Sequence, residues 1–408
     1  MLLYSCVATY HSGELLGTLC KRFPEGDSYP RLVRAVALRA MPASASTHRR
    51  ERIATLAAMS ANMLQFLAYY FDTIAQMLYV AQYFDQLVTP TPPSKRALAP
   101  CQWAWLALTF FLVVPMLWVP SFAESRWMAV PSMVGIAVTV VIFVAEVAVT
   151  DPWHCSPGPV YARPSPYSVF LSMGAYMYQF GGHGMFPEMI REMKRPEDWS
   201  AVLKWTYAVV VAMYAICGYL GYFAYGAEVQ ANINLSWPGP GAGSAGAMNV
   251  VSIAIQLVVC WYLVYLTNIT LLLNIEIDWL RLSPTSQSAR TKVRRMAFRT
   301  AFLATQTIVG LMLLSGSGDI ILGLQSLCGS IGMSALTCFV PFVLAWLTAP
   351  KDLSAATKGW FGLNICVGVL VMVGGILSSL TDIFDNGGGI FAGYCHLEYA
   401  YSNCTRAT

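Results

Sequence analysis

The residues best suited to chemistry lie where the chain is least polar. Gln65, Tyr69, Asp72, Gln76, Tyr79 and Tyr83 recur at spacings of 4, 3, 4, 3 and 4, which sets them on one face of a helix. Asp72 sits near the middle of that run. A carboxyl group there can carry a proton or hold a cation; the competing reading is a satisfied helix–helix contact. A second stripe, Gln256, Cys260, Thr267, Thr270 and Asn274, runs through 247–275 with Asn268 beside it. The oxygens of Thr267 and Asn268 could coordinate Na⁺ or a substrate amine, or could bond back to their own helix.

The third cluster is the most informative. Residues 165–190 read SPYSVFLSMGAYMYQFGGHGMFPEMI. Gly181, Gly182, Gly184 and Pro187 interrupt an apolar helix, at about 1 kcal/mol for each interior glycine and about 3 kcal/mol for the proline. Their density predicts a helix broken over 181–187. A break frees backbone groups that need a partner inside lipid. The two half-helix ends carry partial charge suited to a carboxylate or an ion. On this reading Gly181, Gly182, His183 and Gly184 hold a substrate, with Tyr178, Gln76 and Thr267 as further contacts. Asp72, His183 and Asn268 handle the coupling ion. Imidazole, with an ordinary pKa of about 6.5, suits proton exchange in an acidic compartment. The competing reading ends the span early and makes the GGHG stretch a turn in water. Weaker candidates are His11 and Glu14, one turn apart and able to pair; Glu146, expected to face water at a membrane edge; and Glu276 and Asp278, expected to be solvated.

The elements that must position these groups follow from composition. Of 408 residues, 56% are hydrophobic and 11% charged, against about 25% charged in ordinary soluble domains. The apolar residues form blocks: 127–148 holds one charged residue, Glu146, and 360–380 holds none. Runs of about 20 apolar residues match the hydrocarbon thickness at 1.5 Å per residue. The pattern predicts an all-α, polytopic membrane protein, its partner the lipid bilayer. It excludes a nucleic-acid binder, a secreted disulfide scaffold and a disordered hub. No alternating ten-residue segments suggest a barrel. Ten spans are expected, roughly 2–20, 53–83, 102–122, 127–148, 167–190, 200–225, 247–275, 296–315, 319–348 and 358–381. They make one transmembrane domain over 1–384, with a short luminal or extracellular tail at 385–408.

Charge orients them. Of the 25 Lys and Arg, 21 fall in the loops of one side, 21–52, 123–126, 190–204, 281–299 and 349–358. Basic loops stay cytosolic, so both termini of this chain are expected on the other side. The sequons at Asn234 and Asn403 fall on that side too. Cys101, Cys155, Cys395 and Cys404 lie in or beside luminal segments, where one disulfide is possible but its pairing is not readable. The first span starts at residue 1 or 2, and its charges follow it, the wrong polarity for a signal peptide. With His11 and Glu14 inside, it inserts poorly alone, so a preceding helix is expected to be missing. The alternative is a first helix that enters unaided. There is no nucleotide loop, no H-E-x-x-H and no G-x-S-x-G. Neither an enzyme nor a cofactor is implied, and ATP-driven pumping by this chain alone is excluded.

The broken span also carries a resemblance. Gly182-His183, Phe186-Pro187, Met193 to Pro196, Gly221 to Gly226 and Asn234-Leu235 resemble the core signature of the amino acid/auxin permease family. Its nearest branch is that of vesicular inhibitory and vacuolar amino acid transporters. SYPRLVRAVALR (28–39) resembles the family's first cytosolic loop, although Arg31-Leu32-Val33-Arg34 replaces the usual Asp-x-Gly-Glu. The later helix reads LTNITLLLNIEI (266–277), without the usual proline pair.

The resemblance implies a leucine-transporter-like fold of eleven helices in inverted repeats, here lacking its first helix. It further implies a secondary amino acid transporter, coupled to protons, in a vacuolar or vesicular membrane. The broken helix at 181–187 would be the pivot of alternating access. Two alternatives stay open: a truncated, non-transporting relative or amino acid sensor, and a Na⁺-coupled plasma-membrane symporter.

Overall fold

Helices form along the apolar runs, and some of them continue through an interior proline, Pro115 in one and Pro131 in another. The computed structural model describes residues 1–42, 44–88, 101–119, 122–150, 152, 158–161, 163–226, 229–282, 288–314, 319–349 and 353–386. Among them the regular elements are all helical: α1 Leu2–Arg22, α2 Tyr29–Ala40, α3 Thr47–Val88, α4 Gln102–Leu117, α5 Phe122–Thr150, α6 Pro166–Gln179, α7 Phe186–Glu192, α8 Trp199–Ala215, α9 Gly221–Tyr225, α10 Gly243–Asn274, α11 Ala289–Leu313, α12 Asp319–Cys328, α13 Val340–Thr348 and α14 Ala355–Asn386. Wider π turns at Gly329–Met333 and Ala335–Phe339 carry α12 into α13. Another, Ile275–Trp279, extends α10.

Among the described residues, six helical runs are long and apolar enough to cross a membrane: Trp127–Thr150, Pro196–Tyr225, Gly243–Ile277, Ala289–Leu313, Ile321–Thr348 and Ala355–Phe384. Gln102–Leu117 is apolar but shorter. The remaining expected spans, in α1, α3 and α6–α7, contain the polar groups singled out above.

The described residues form two compact units, each drawn from separate stretches of chain. One comprises Met1–Tyr69, Pro164–Ala212 and Gln325–Leu380; the other comprises Tyr70–Arg163, Met213–Leu324 and Thr381–Thr408. In the first, α1 packs on α7, α13 and the Ala335–Phe339 turn, and α6 lies along Gly329–Met333. That crossing is close: a Cβ on Gly329 would run into the Gly174 carbonyl. Small residues permit such helix approach in lipid. In the second unit, α10 runs along α5, and α11 packs on α4. Phe143, Val147, Ala224, Tyr225 and Trp237 form a core there, with Phe143 stacked on Trp237 at 5.7 Å.

Several expectations need correction. The 21–52 segment is not one long loop, because α2 occupies Tyr29–Ala40 and α3 begins at Thr47. Pro30 stands in the first turn of α2, where its missing N–H costs nothing. Tyr29, Leu32, Val33, Ala35 and Val36 bury one face, while Arg31, Arg34 and Arg39 lie on the exposed one. Glu146 does not face water; it is fully buried. Glu276 is likewise buried, held by Arg295 and Arg299. His11 Nδ1 accepts from Trp360 Nε1 and Glu14 Oε2 accepts from Ser200 Oγ, and no hydrogen bond joins His11 to Glu14 among the described residues. The Asn234 sequon is internal: Asn234 is 0% exposed, and its Oδ1 accepts from Ser252 and Gln256, so it cannot present an amide to a glycosylating enzyme. Cys101 is disulfide-bonded. Cys155, Cys395, Cys404, Asn403 and the tail from 387 lie outside the described residues, as does the Asp278 side chain.

Candidate functional site

The helix expected to break does so. α6 stops at Gln179, capped at Phe180, and Gly181 and Gly182 leave the helical path. His183–Met185 make one tight 3₁₀ turn, and α7 restarts at Phe186 with Pro187 in its first turn. Gly182 has φ +157° and ψ −11°, a backbone state that favours glycine. Gly184 has a different reason: a Cβ there would stand 2.6 Å from the Tyr69 hydroxyl. One glycine serves the bend and the other a close approach.

The break is interior, not a turn in water. His183 is 0% exposed. Its Nε2 lies 2.8 Å from the Thr9 carbonyl oxygen. A carbonyl only accepts, so Nε2 carries the proton and donates, which leaves a lone pair on Nδ1. Nδ1 is buried and has no hydrogen-bond partner among the described residues. The His183 ring lies 4.5 Å from Phe186. Phe186 meets Trp199 edge-on at 4.9 Å, and Trp199 donates to the Gly13 carbonyl. Around the turn, every carbonyl is taken: Gly182 O by Met185 N–H, His183 O by Phe186 N–H, and Gly184 O by the Gln65 amide at 2.9 Å. Tyr178 is half-buried one turn before the break, and its carbonyl accepts from Gly181 N–H.

The polar stripe on α3 is real but divides. Gln65 and Tyr69 are fully buried in the first unit, against Gly184. Asp72, Gln76 and Tyr83 belong to the second unit and are also buried. There Gln76 Nε2 lies 3.4 Å from Asp72 Oδ1, Thr73 and Thr267 share a 2.9 Å hydrogen bond, and Tyr83 donates to Gln256. Thr267 and Thr270 also bond back to Leu263 and Leu266. Asn268 donates to the Val264 carbonyl, and its buried Oδ1 has no partner among the described residues. The structure thus gathers Gly181, Gly182, His183, Gly184 and Tyr178 in one unit, and Asp72, Gln76, Thr267 and Asn268 in the other.

Two features were missed in the sequence. The first is the pair of π turns at 329–339, a distortion that recurs at functional sites. The Ala335–Phe339 turn lies against His183–Met185. The carbonyl of Leu336 accepts from Tyr29 Oη at 2.7 Å. Burial pushes the Tyr29 phenol well above its ordinary pKa, so the hydroxyl stays a donor. Gly329, Gly332 and the polar run Ser330, Ser334 and Thr337 were the available signal. The second is the buried charge cluster of Glu276, Arg295 and Arg299. Its signal, two arginines four residues apart, looks the same as a solvated basic loop.

A family model described as "Transmembrane amino acid transporter protein" matches residues 1–381. Similar curated proteins from Arabidopsis thaliana include Amino acid transporter AVT1B, 28% identical over 133 residues (32% of this chain, 24% of that protein). Amino acid transporter AVT1H is 35% identical over 65 residues (16% and 15%). Amino acid transporter AVT1J is 24% identical over 220 residues (53% and 48%). The matched stretches span about half or less of those relatives' own lengths. The family is one of transporters, not enzymes, and the resemblance of the Gly-His and Phe-Pro signature agrees with the match over residues 1–381. This multi-pass integral membrane protein belongs to the family of transmembrane amino acid transporter proteins.

Proposed function

We propose that the chain acts as a secondary amino acid transporter, proton-coupled, working by alternating access around the break at 181–187. The vacuolar or vesicular membrane is its proposed location, with both termini of this chain on the non-cytosolic side and the ten spans as laid out from the sequence. Family membership supports the substrate class, and the names of the Arabidopsis relatives support it further.

One observation carries the mechanistic part: a helix interrupted in the protein interior around a buried histidine. The carbonyls of residues 182–184 are already engaged. Among the described residues no backbone carbonyl outside the helices accepts from the N–H groups of Gly182, His183 and Gly184, so the turn has donors left to offer. Donors at a helix restart suit a carboxylate, the group common to all amino acids. His183 Nδ1 is an acceptor, suited to a substrate ammonium or to an incoming proton. Tyr178, Gln76 and Thr267 are the further proposed substrate contacts, and Asp72 and Asn268 the proposed ion-coupling groups.

Radiolabelled amino acid uptake into proteoliposomes tests this, with a pH gradient or a Na⁺ gradient imposed separately. Uptake that follows the pH gradient supports the reading. Uptake that follows Na⁺ alone overturns the proton coupling. Substrate binding without uptake favours the sensor alternative.

A further inference from the structure

We infer that the basic hollow between α2 and the first turns of α3 is a binding site for the phosphorylated headgroup of an anionic lipid. This goes beyond transport and does not depend on it. The hollow is a cavity of about 520 Å³, lined by Phe23, Glu25, Arg31, Arg34, Arg39 and Arg50 among others. Four arginines and one glutamate line this concave site, with Asp27 and Glu51 paired to two of the arginines. Guanidinium groups recognise phosphate oxygens through pairs of parallel N–H bonds.

The arginines are not all neutralised from within. Arg31 pairs with Asp27 at 3.0 Å, and Arg34 pairs with Glu51 at 2.6 Å. The Arg34–Glu51 pair is close to half exposed. Arg50 spends one Nη on the Leu38 carbonyl, which pins α3 against the end of α2. Its Nε is buried with no hydrogen-bond partner among the described residues. Arg39 is exposed, and no ion pair engages it among the described residues. Arg39 and Arg50 both line the hollow, so an anion seated there meets both side chains.

Position selects a lipid over a free solute. The apolar face of α2 packs on α7 and α13. α13 closes the apolar run Ile321–Thr348, and its last carbonyl, Thr348 O, accepts from Arg22 Nη1 at 2.7 Å. Arg22 is the last residue of α1, immediately before Phe23. The hollow therefore opens beside the place where an apolar helix ends, at the level a headgroup occupies. Its side is that of the basic loops, where anionic lipids attract clustered Lys and Arg.

The test uses the full chain in detergent micelles and a fluorescent short-chain phosphatidylinositol phosphate, followed by fluorescence polarisation. Competitors are inositol phosphate and inorganic phosphate. The proposal expects saturable binding of the lipid, much weaker competition by the two soluble anions, and about a tenfold loss for each arginine removed, about a hundredfold in R39Q/R50Q, since each charged hydrogen bond is worth about one decade. Arg39 has no structural partner to lose, so R39Q alone serves if the double variant unfolds. R290Q/R294Q, which removes the same charge from exposed positions on α11, should bind like the parent. Equal losses in the two double variants would mean nonspecific charge attraction and overturn the site. Inositol phosphate binding as tightly as the lipid would reassign the site to a soluble phosphate compound and overturn the lipid assignment. No saturable binding of any of the three overturns the inference entirely.

Discussion

Arg299 grips Glu276 in a two-pronged bond: Nε lies 2.6 Å from Oε1 and Nη2 lies 2.8 Å from Oε2, with side chains 1% and 0% exposed. The third nitrogen donates to the carbonyls of Leu117, the last residue of α4, and Val119 just after it. Arg295 completes the cluster on Oε2 at 3.1 Å. One arginine thus ties α11, the end of α10 and the end of α4 together, and none of its nitrogens is left over.

Removing one partner of such a pair leaves a buried charge. That costs about 3–5 kcal/mol, whereas replacing both by apolar residues of similar volume is often close to neutral. Glu276→Leu, which strands both arginines, should lower the thermal unfolding midpoint in detergent sharply, and Arg299→Met less so, since Arg295 still pairs with Glu276. The triple variant Glu276→Leu/Arg295→Met/Arg299→Met leaves no member of the cluster charged and should recover much of the Glu276→Leu loss. Measured by tryptophan fluorescence on heating, a triple variant no more stable than Glu276→Leu would show that the carbonyl contacts of Arg299, not its ion pair, carry the stability.

Gly184 offers a steric test of the break. A Cβ there meets the Tyr69 hydroxyl at 2.6 Å and the Leu336 side chain at 3.2 Å. Both neighbours are fully buried, so neither can swing away. Gly184→Ala should cost about 1–3 kcal/mol, the usual range for overpacking, and depress uptake. Adding Tyr69→Phe removes the nearest atom and should restore part of both. Rescue of stability without rescue of uptake would assign the Tyr69 hydroxyl a role beyond packing.

How much of this was legible in the sequence depends on how local the cause was. The break at 181–182 was legible because glycine and proline act on their own backbone. The buried faces of α3 were legible because helical spacing is local as well. Arg295, Arg299 and Glu276 were not, since a charged residue near a span end reads the same whether it meets water or a partner 23 positions away. α2 was hidden for a similar reason. Its arginines dominate its composition, and its apolar face gains meaning only once α7 and α13 lie against it. The division of the α3 stripe at Tyr69 and Tyr70 has no local signature, because the helix runs through it without interruption.

Tyr29 tests the π turn. Its hydroxyl donates to Leu336 O at 2.7 Å, with both residues fully buried. A π turn shifts the helical hydrogen-bond ladder by one residue, and this side chain supplies the Leu336 carbonyl with a donor from outside the helix. Tyr29→Phe keeps the ring and removes the donor. The expected loss is about 1–3 kcal/mol, that of an unsatisfied buried carbonyl, read as a lower unfolding midpoint. Hydrogen exchange at residues 335–339 should speed up selectively. Exchange that rises evenly across the first unit would point to general loosening instead.

Asp72 carries the sharpest functional prediction. It is 6% exposed on α3, with Gln76 Nε2 3.4 Å from its Oδ1. One residue on, Thr73 bonds Thr267 of α10, so the backbone around it is fixed by a contact that does not involve the carboxyl. Asp72→Asn preserves size and can still accept from Gln76, but it cannot exchange a proton. If Asp72 couples transport to protons, the variant should fold, bind amino acid and lose most of the difference in uptake between acidic and neutral external medium. Uptake driven by an imposed pH gradient should fall while exchange of labelled for unlabelled amino acid persists, since exchange needs no net proton movement. A variant that keeps the full pH response removes Asp72 from the coupling step and leaves His183, in the other unit, as the remaining ionisable group of those proposed.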